Sequence, residues 1–176
     1  MANAIYASVW FFILWKWGDW KNWEKYYPTL LFFLIGDFIY LYLLSDHYPM
    51  WRYNPSEGDA KHGLTNTHIS LSVMLIKYPA TIFIYLSKFP ERNIIKQILF
   101  IMFWVLLYSI NELIDLSFHL IKYYNGWSFK WSVIFNAVMF VCIYIHYRKP
   151  LIAWPIAIIF ILFLWFTFDV PLSVFR

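Results

Sequence analysis

Residues 31–44 read "LFFLIGDFIYLYLL". Fourteen residues with one ionisable side chain, Asp37, give neither the strict alternation of a half-buried strand nor the polar face of a surface helix. Residues 156–166, "IAIIFILFLWF", are apolar throughout. In hydrocarbon every backbone amide must find a partner within the segment or across a closed barrel. Barrel strands alternate lipid-facing and lumen-facing residues, and these stretches do not. They are helices, and the chain is an all-α integral membrane bundle.

Composition points the same way. Of 176 residues, 62% are hydrophobic, 14% charged and 24% aromatic, whereas a soluble domain is nearer half apolar and a quarter charged. The 11 Trp and 14 Tyr suit a short chain with many membrane–water interfaces. The net charge of +4 does not mark a nucleic-acid partner, because the basic residues sit in short connections and form no stripe. The single Cys142 rules out an internal disulfide and reads as a small apolar residue. The N-terminus lacks a basic leader and a small-residue cleavage site, so it reads as retained.

Six apolar segments follow along one membrane domain, 1–176: 4–17, 28–45, 65–86, 94–121, 131–147 and 151–170. A crossing needs about 20 residues. The first, at about 21 Å as a helix, either spans with local thinning or lies in the interface. Six transmembrane helices are expected, or five if the first does not cross. The longest loop, 45–64, is the place for a small extramembrane structure, and "NGW" at 125–127 reads as a turn. Pro79 falls inside the third segment and is expected to kink it. The stretch 16–28 is an interfacial belt anchored by Trp17, Trp20 and Trp23.

Connections 1–2, 3–4 and 5–6 hold eight of the fourteen Lys and Arg, and the opposite side holds five, with Lys77 inside the membrane. The richer side is expected to be cytoplasmic, which places the C-terminus outside.

"SINELIDLSFHL", 109–120, is the exception to all this grease. At 100° per residue Tyr108, Asn111, Glu112, Asp115, His119 and Lys122 share an arc of about 100°. A carboxylate in hydrocarbon costs at least about 2.5 kcal/mol, so the stripe should face the bundle interior. Counting depth from the helix ends puts Asp37, His68 and Asn136 in the same layer, with Lys77 roughly 13 Å deeper than His68 and able to reach Asp37 or Glu112, or to snorkel. His146, beside Arg148 and Lys149, reads as an interfacial residue.

Three functions fit such a layer. Carboxylates and imidazoles around a polar cavity bind cations or relay protons, and this reading is preferred. Alternatively the layer ties the bundle together, and the protein is structural or a subunit of a membrane complex. Least favoured is a metal centre of Glu112, Asp115 and His119, completed by Asp37 or His68 around Zn, Mn or Fe, whose bound water would hydrolyse a lipid or peptide bond. A chain this small needs a homo-oligomer or a membrane partner to make a complete transporter.

"WGDWKNWEKYYPTLLFFLIGDFIY" (17–40), "HYPMWRY" (47–53), "YNGWSFKWSVIFN" (124–136) and "KPLIAW" (149–154) resemble a family of small multi-pass membrane proteins of spore-forming bacilli and clostridia, catalogued under a locus-tag-derived name. The likeness runs from about residue 16 to 154. It implies a bacterial plasma membrane, the spore membrane being one form of it, and carries over no activity, cofactor or catalytic residue.

Overall fold

The computed structural model describes residues 2–175. Helix α1, Ala2–Trp17, turns through residues 18–22 into α2, Trp23–Leu43. Loop 45–64 contains a short strand β1, Trp51–Tyr53, and a one-turn helix α3, Glu57–Lys61. The third span is assembled from α4, Asn66–Ser72, a π turn, Val73–Lys77, and α5, Tyr78–Lys88. Then come α6, Ile94–Ser117, strand β2, Ile121–Tyr123, α7, Phe129–Arg148, and α8, Pro150–Thr167. Five helices are long and apolar enough to cross a membrane: Trp20–Leu43, Asn66–Lys88, Ile94–Ser117, Phe129–Arg148 and Pro150–Thr167. The chain is thus the expected multi-pass helical bundle with a short first helix. Its 16 residues cover about 24 Å. It starts beside α3, packs Trp10 on Tyr108, and leads to the junction where Trp20 meets Phe83. It therefore packs alongside the third span.

The helices are joined by polar bonds as well as by packing. Tyr85 donates to the Phe140 carbonyl at 2.9 Å, linking α5 to α7. Thr81 and Tyr108 share a 2.5 Å hydrogen bond between α5 and α6. Without a hydrophobic drive between helices in lipid, such bonds and close packing supply the cohesion. The main core gathers Trp10, Leu30, Ile82, Tyr85, Trp104 and Phe140. A second, around Leu44, Met50, Trp127, Leu164 and Phe168, lies towards the end that carries loop 45–64.

Three local features go beyond the sequence reading. Before Pro79 the helix is not continuously α: the turn Val73–Lys77 widens into a π turn. A wider turn gives the proline ring room against the preceding backbone. The fourth helix stops at Ser117, four residues before the end of its apolar run. His119 adopts φ 57°, Leu120 N–H donates to the Asp115 carbonyl at 2.7 Å, and His119 N–H to the Leu116 carbonyl at 3.1 Å. That pair of bonds with a left-handed residue between is a Schellman stop, with a histidine where glycine is usual. His119 and Lys122 therefore leave the helical stripe. Finally, β2 pairs antiparallel with β1, Trp51 opposite Tyr123 and Tyr53 opposite Ile121. The Asn125–Gly126 turn that follows has positive φ at both residues, 48° and 79°, and closes with Trp127 N–H on the Tyr124 carbonyl at 2.9 Å, a type I′ geometry.

The β1–β2 ribbon lies across one end of the bundle as a cap. Tyr40 of α2 holds it. The Tyr40 hydroxyl donates to the Trp51 carbonyl and accepts from the amides of Met50 at 3.1 Å and Trp51 at 2.9 Å. Asn66, at the start of α4, accepts from Tyr53 N–H at 3.1 Å and donates to Ser45 at 2.9 Å.

Candidate functional site: an intramembrane cavity with an acidic end

A cavity of about 470 Å³ lies between the two cores and beneath the cap. That is within the roughly 300–1,000 Å³ of small-molecule sites. Helices α2, α7 and α8 form most of its wall, the π turn and α6 contribute polar groups, and Met50, Trp51, Tyr53 and Ile121 of the cap close one end. Of the residues singled out from the sequence, Asp37, Lys77, Glu112, Asp115 and Asn136 all line it.

Two expected members do not belong. His68 is exposed, and its Nδ1 accepts the Thr65 amide at 3.3 Å and contacts the Thr65 hydroxyl at 2.8 Å. It caps the N-terminus of α4 and does not look inward. His119 is exposed in the Schellman stop. The metal centre of Glu112, Asp115 and His119 is consequently not assembled. Among the described residues no three His, Cys, Asp or Glu side chains converge as ligands of one ion.

The four charged groups have unequal surroundings. Glu112 accepts from Tyr123 of β2 at 2.7 Å and from Ser132 of α7 at 2.6 Å, both on Oε1. Ser132 in turn accepts from the Trp127 indole at 2.8 Å. Glu112 is therefore the point where α6, α7 and the cap meet. Burial, with the bonded Glu112 beside it, pushes the Tyr123 phenol well above its ordinary range. Asp37 faces the Tyr78 hydroxyl. Asp115, half-buried one turn from Glu112, takes no side-chain hydrogen bond among the described residues.

Lys77 is buried and neither snorkels nor pairs with Asp37 or Glu112. Its ammonium donates to Asn111 Oδ1 at 3.2 Å and stands over the rings of Tyr108, Trp10 and Tyr6, 4.4, 5.5 and 5.6 Å from their centres. Each such contact is worth about 0.5–2 kcal/mol, more where water is excluded. Tyr6 donates to the same Asn111 oxygen at 2.6 Å. The sequence hid this cage because Tyr6 and Trp10 belong to α1, which carries no charge there to mark it as a partner. The one ion pair among the described residues is Arg52–Asp46, 2.9 Å, on the exposed loop. The cavity thus meets three carboxylates and one ammonium, and the ammonium is already held.

At the opposite end of the bundle His146, in the last turn of α7, is buried against its neighbours. Its Nδ1 lies 3.0 Å from the Thr29 hydroxyl, and its ring stacks on Phe32, centres 4.3 Å apart. The three anchors Trp17, Trp20 and Trp23 are exposed at the α1–α2 junction. Asp19 organises that junction by accepting from Tyr26 at 2.8 Å and Asn22 at 2.9 Å, and these bonds lower its carboxyl below the ordinary Asp value.

No family model, curated protein or solved structure matches the chain.

Proposed function

We propose that this protein binds a cation or a proton in the intramembrane cavity, as a carrier or conduit across a bacterial plasma membrane. The supporting observation is the charge imbalance: Asp37, Glu112 and Asp115 face one cavity, while Lys77, the only ammonium there, is occupied by Asn111 and three rings. Carboxylates sharing a low-dielectric site repel each other unless a cation or proton enters. The likeness to membrane proteins of spore-forming bacteria and the concentration of Lys and Arg on one side favour a cytoplasmic 88–93 turn and an outer cap. An impermeant thiol reagent on intact cells, with Cys142 replaced by Ala, should label a cysteine at Glu57 and spare one at Lys88. The reverse pattern would invert the orientation.

The cation reading is tested by melting the purified protein in detergent over pH 5–8 with Na, K, Mg, Mn and Zn salts. A ligand that binds only the folded state raises stability by mass action, about 2.7 kcal/mol at a hundred times its Kd. A saturable rise is expected with wild type and is lost in Asp115→Asn.

One observation favours a structural role instead. Glu112 Oε1 is engaged by Tyr123, Ser132 and, through Ser132, Trp127. On that reading wild-type melting ignores every cation, and Glu112→Gln melts several degrees lower.

A further inference from the structure

The cavity has a side door. Phe32 of α2 meets Trp154 of α8, ring centres 4.8 Å apart, at the end away from the cap. Nearer the cap, residues of both helices line the cavity. Ile35 and Ile39 on α2 and Ile158 and Ile161 on α8 line the cavity, yet they are 42%, 45%, 51% and 43% exposed. A residue that both lines a cavity and is half open to the surroundings marks a mouth. Here the mouth faces the side of a membrane-spanning bundle, so it opens on lipid. Gly36 lies in the same wall beside Asp37, and a Cβ built there meets nothing within 4 Å.

The cavity wall also carries polar groups. Asn136 lines the cavity at 8% exposure, and its side-chain amide has no hydrogen-bond partner among the described residues. Asp115, which takes no side-chain hydrogen bond there but interacts electrostatically with Lys77, adds a carboxylate to the same lining. The site therefore pairs a long apolar slot, open sideways, with an acidic and amide-lined end.

We infer that the cation taken by this cavity is the head of a membrane amphiphile, an amine or quaternary ammonium on a long apolar chain, which enters from the bilayer between α2 and α8 with its chain lying along Ile35, Ile39, Ile158 and Ile161. This rests on the cation reading and narrows it. A hydrated inorganic ion needs no apolar slot. A neutral or anionic lipid gains nothing from three carboxylates.

The test uses the whole protein in phosphatidylcholine nanodiscs with a diazirine-bearing long-chain amine as photoreactive probe. Cross-links are expected on residues 32–43 and 154–165, with competition by oleylamine. Oleyl alcohol, lacking the charge, should compete about tenfold less or worse, the worth of one charge-assisted hydrogen bond. Asp115→Asn and Gly36→Leu should each weaken labelling at least about fivefold while melting no lower than wild type. Where Gly36→Leu does not fold, Ile161→Trp closes the same mouth from α8. Equal competition by oleyl alcohol would show a slot that takes any chain and overturn the inference. Cation-dependent melting together with labelling elsewhere on the surface would overturn it and leave the cation reading standing. Absence of both effects would remove the two together.

Discussion

The rings of Tyr40 and Trp51 stack face to face, 4.0 Å between centres and 3° between planes, while the Tyr40 hydroxyl binds the backbone at Trp51 on both its donor and acceptor sides. One side chain of α2 thus fixes both the position and the register of β1. Tyr40→Phe retains the stack and removes the hydroxyl, leaving two amides and a carbonyl to find other partners. Stability should fall by about 1–3 kcal/mol. Hydrogen exchange should rise selectively in 50–53 and 121–124. A uniform rise across α2 and α7 instead would mean that Tyr40 supports the bundle as a whole and not the cap.

His119 holds a left-handed backbone that costs a non-glycine residue about 1–2 kcal/mol. His119→Gly should stabilise the protein by up to about 1 kcal/mol, and His119→Val should destabilise it by more than that. Both variants should keep whatever cation response wild type shows. Loss of that response in His119→Gly would return the imidazole to the site.

Lys77 and Asn111 form a buried donor–acceptor pair, 3.2 Å apart. Asn111→Leu removes the oxygen and strands the ammonium, an expected loss of about 1.5–3 kcal/mol. Lys77→Met keeps the volume of the stem and discards the charge. The double variant should recover part of the single losses, with a coupling of 0.5 kcal/mol or more in a double-mutant cycle (about the threshold for residues in contact). Strict additivity would show that the aromatic cage alone carries the lysine.

Asp19 is a carboxylate with a lowered pKa at the α1–α2 junction. A folded-state value below the unfolded one adds stability above the unfolded pKa, and this is lost as pH falls through the folded value. Wild type should therefore lose its advantage over Asp19→Asn on acidification below the ordinary carboxylate range. The gap should be small, because solvent screens this site. A gap that widens on acidification would have the wrong sign for the Tyr26 and Asn22 bonds.

The spans were legible because burial in lipid is written as uninterrupted apolar runs. The segment expected at 151–170 corresponds to Pro150–Thr167, and that at 131–147 to Phe129–Arg148. Asp37, Glu112, Asp115 and Asn136 interrupt those runs, and all four line the one cavity. Hydropathy could not see where α6 stops, since Phe118, Leu120 and Ile121 continue its apolar pattern while the backbone has already turned. His119 gave no warning, as histidine is an uncommon C-terminal stop. The ribbon was hidden because strands of three residues carry no period, and each finds its partner about 70 residues away in sequence.

That distance orders the protein's assembly. Trp51 cannot meet Tyr123 until the third and fourth spans, Asn66–Lys88 and Ile94–Ser117, have both been threaded and the chain has come back to the face it left. Contacts between remote segments form late, after the loop between them has been closed. During synthesis the half-made protein therefore stands with its acidic end unroofed. The ribbon acts as the final clasp, and a chain arrested after the third span would expose Asp37 without the Glu112–Tyr123 contact that completes the roof.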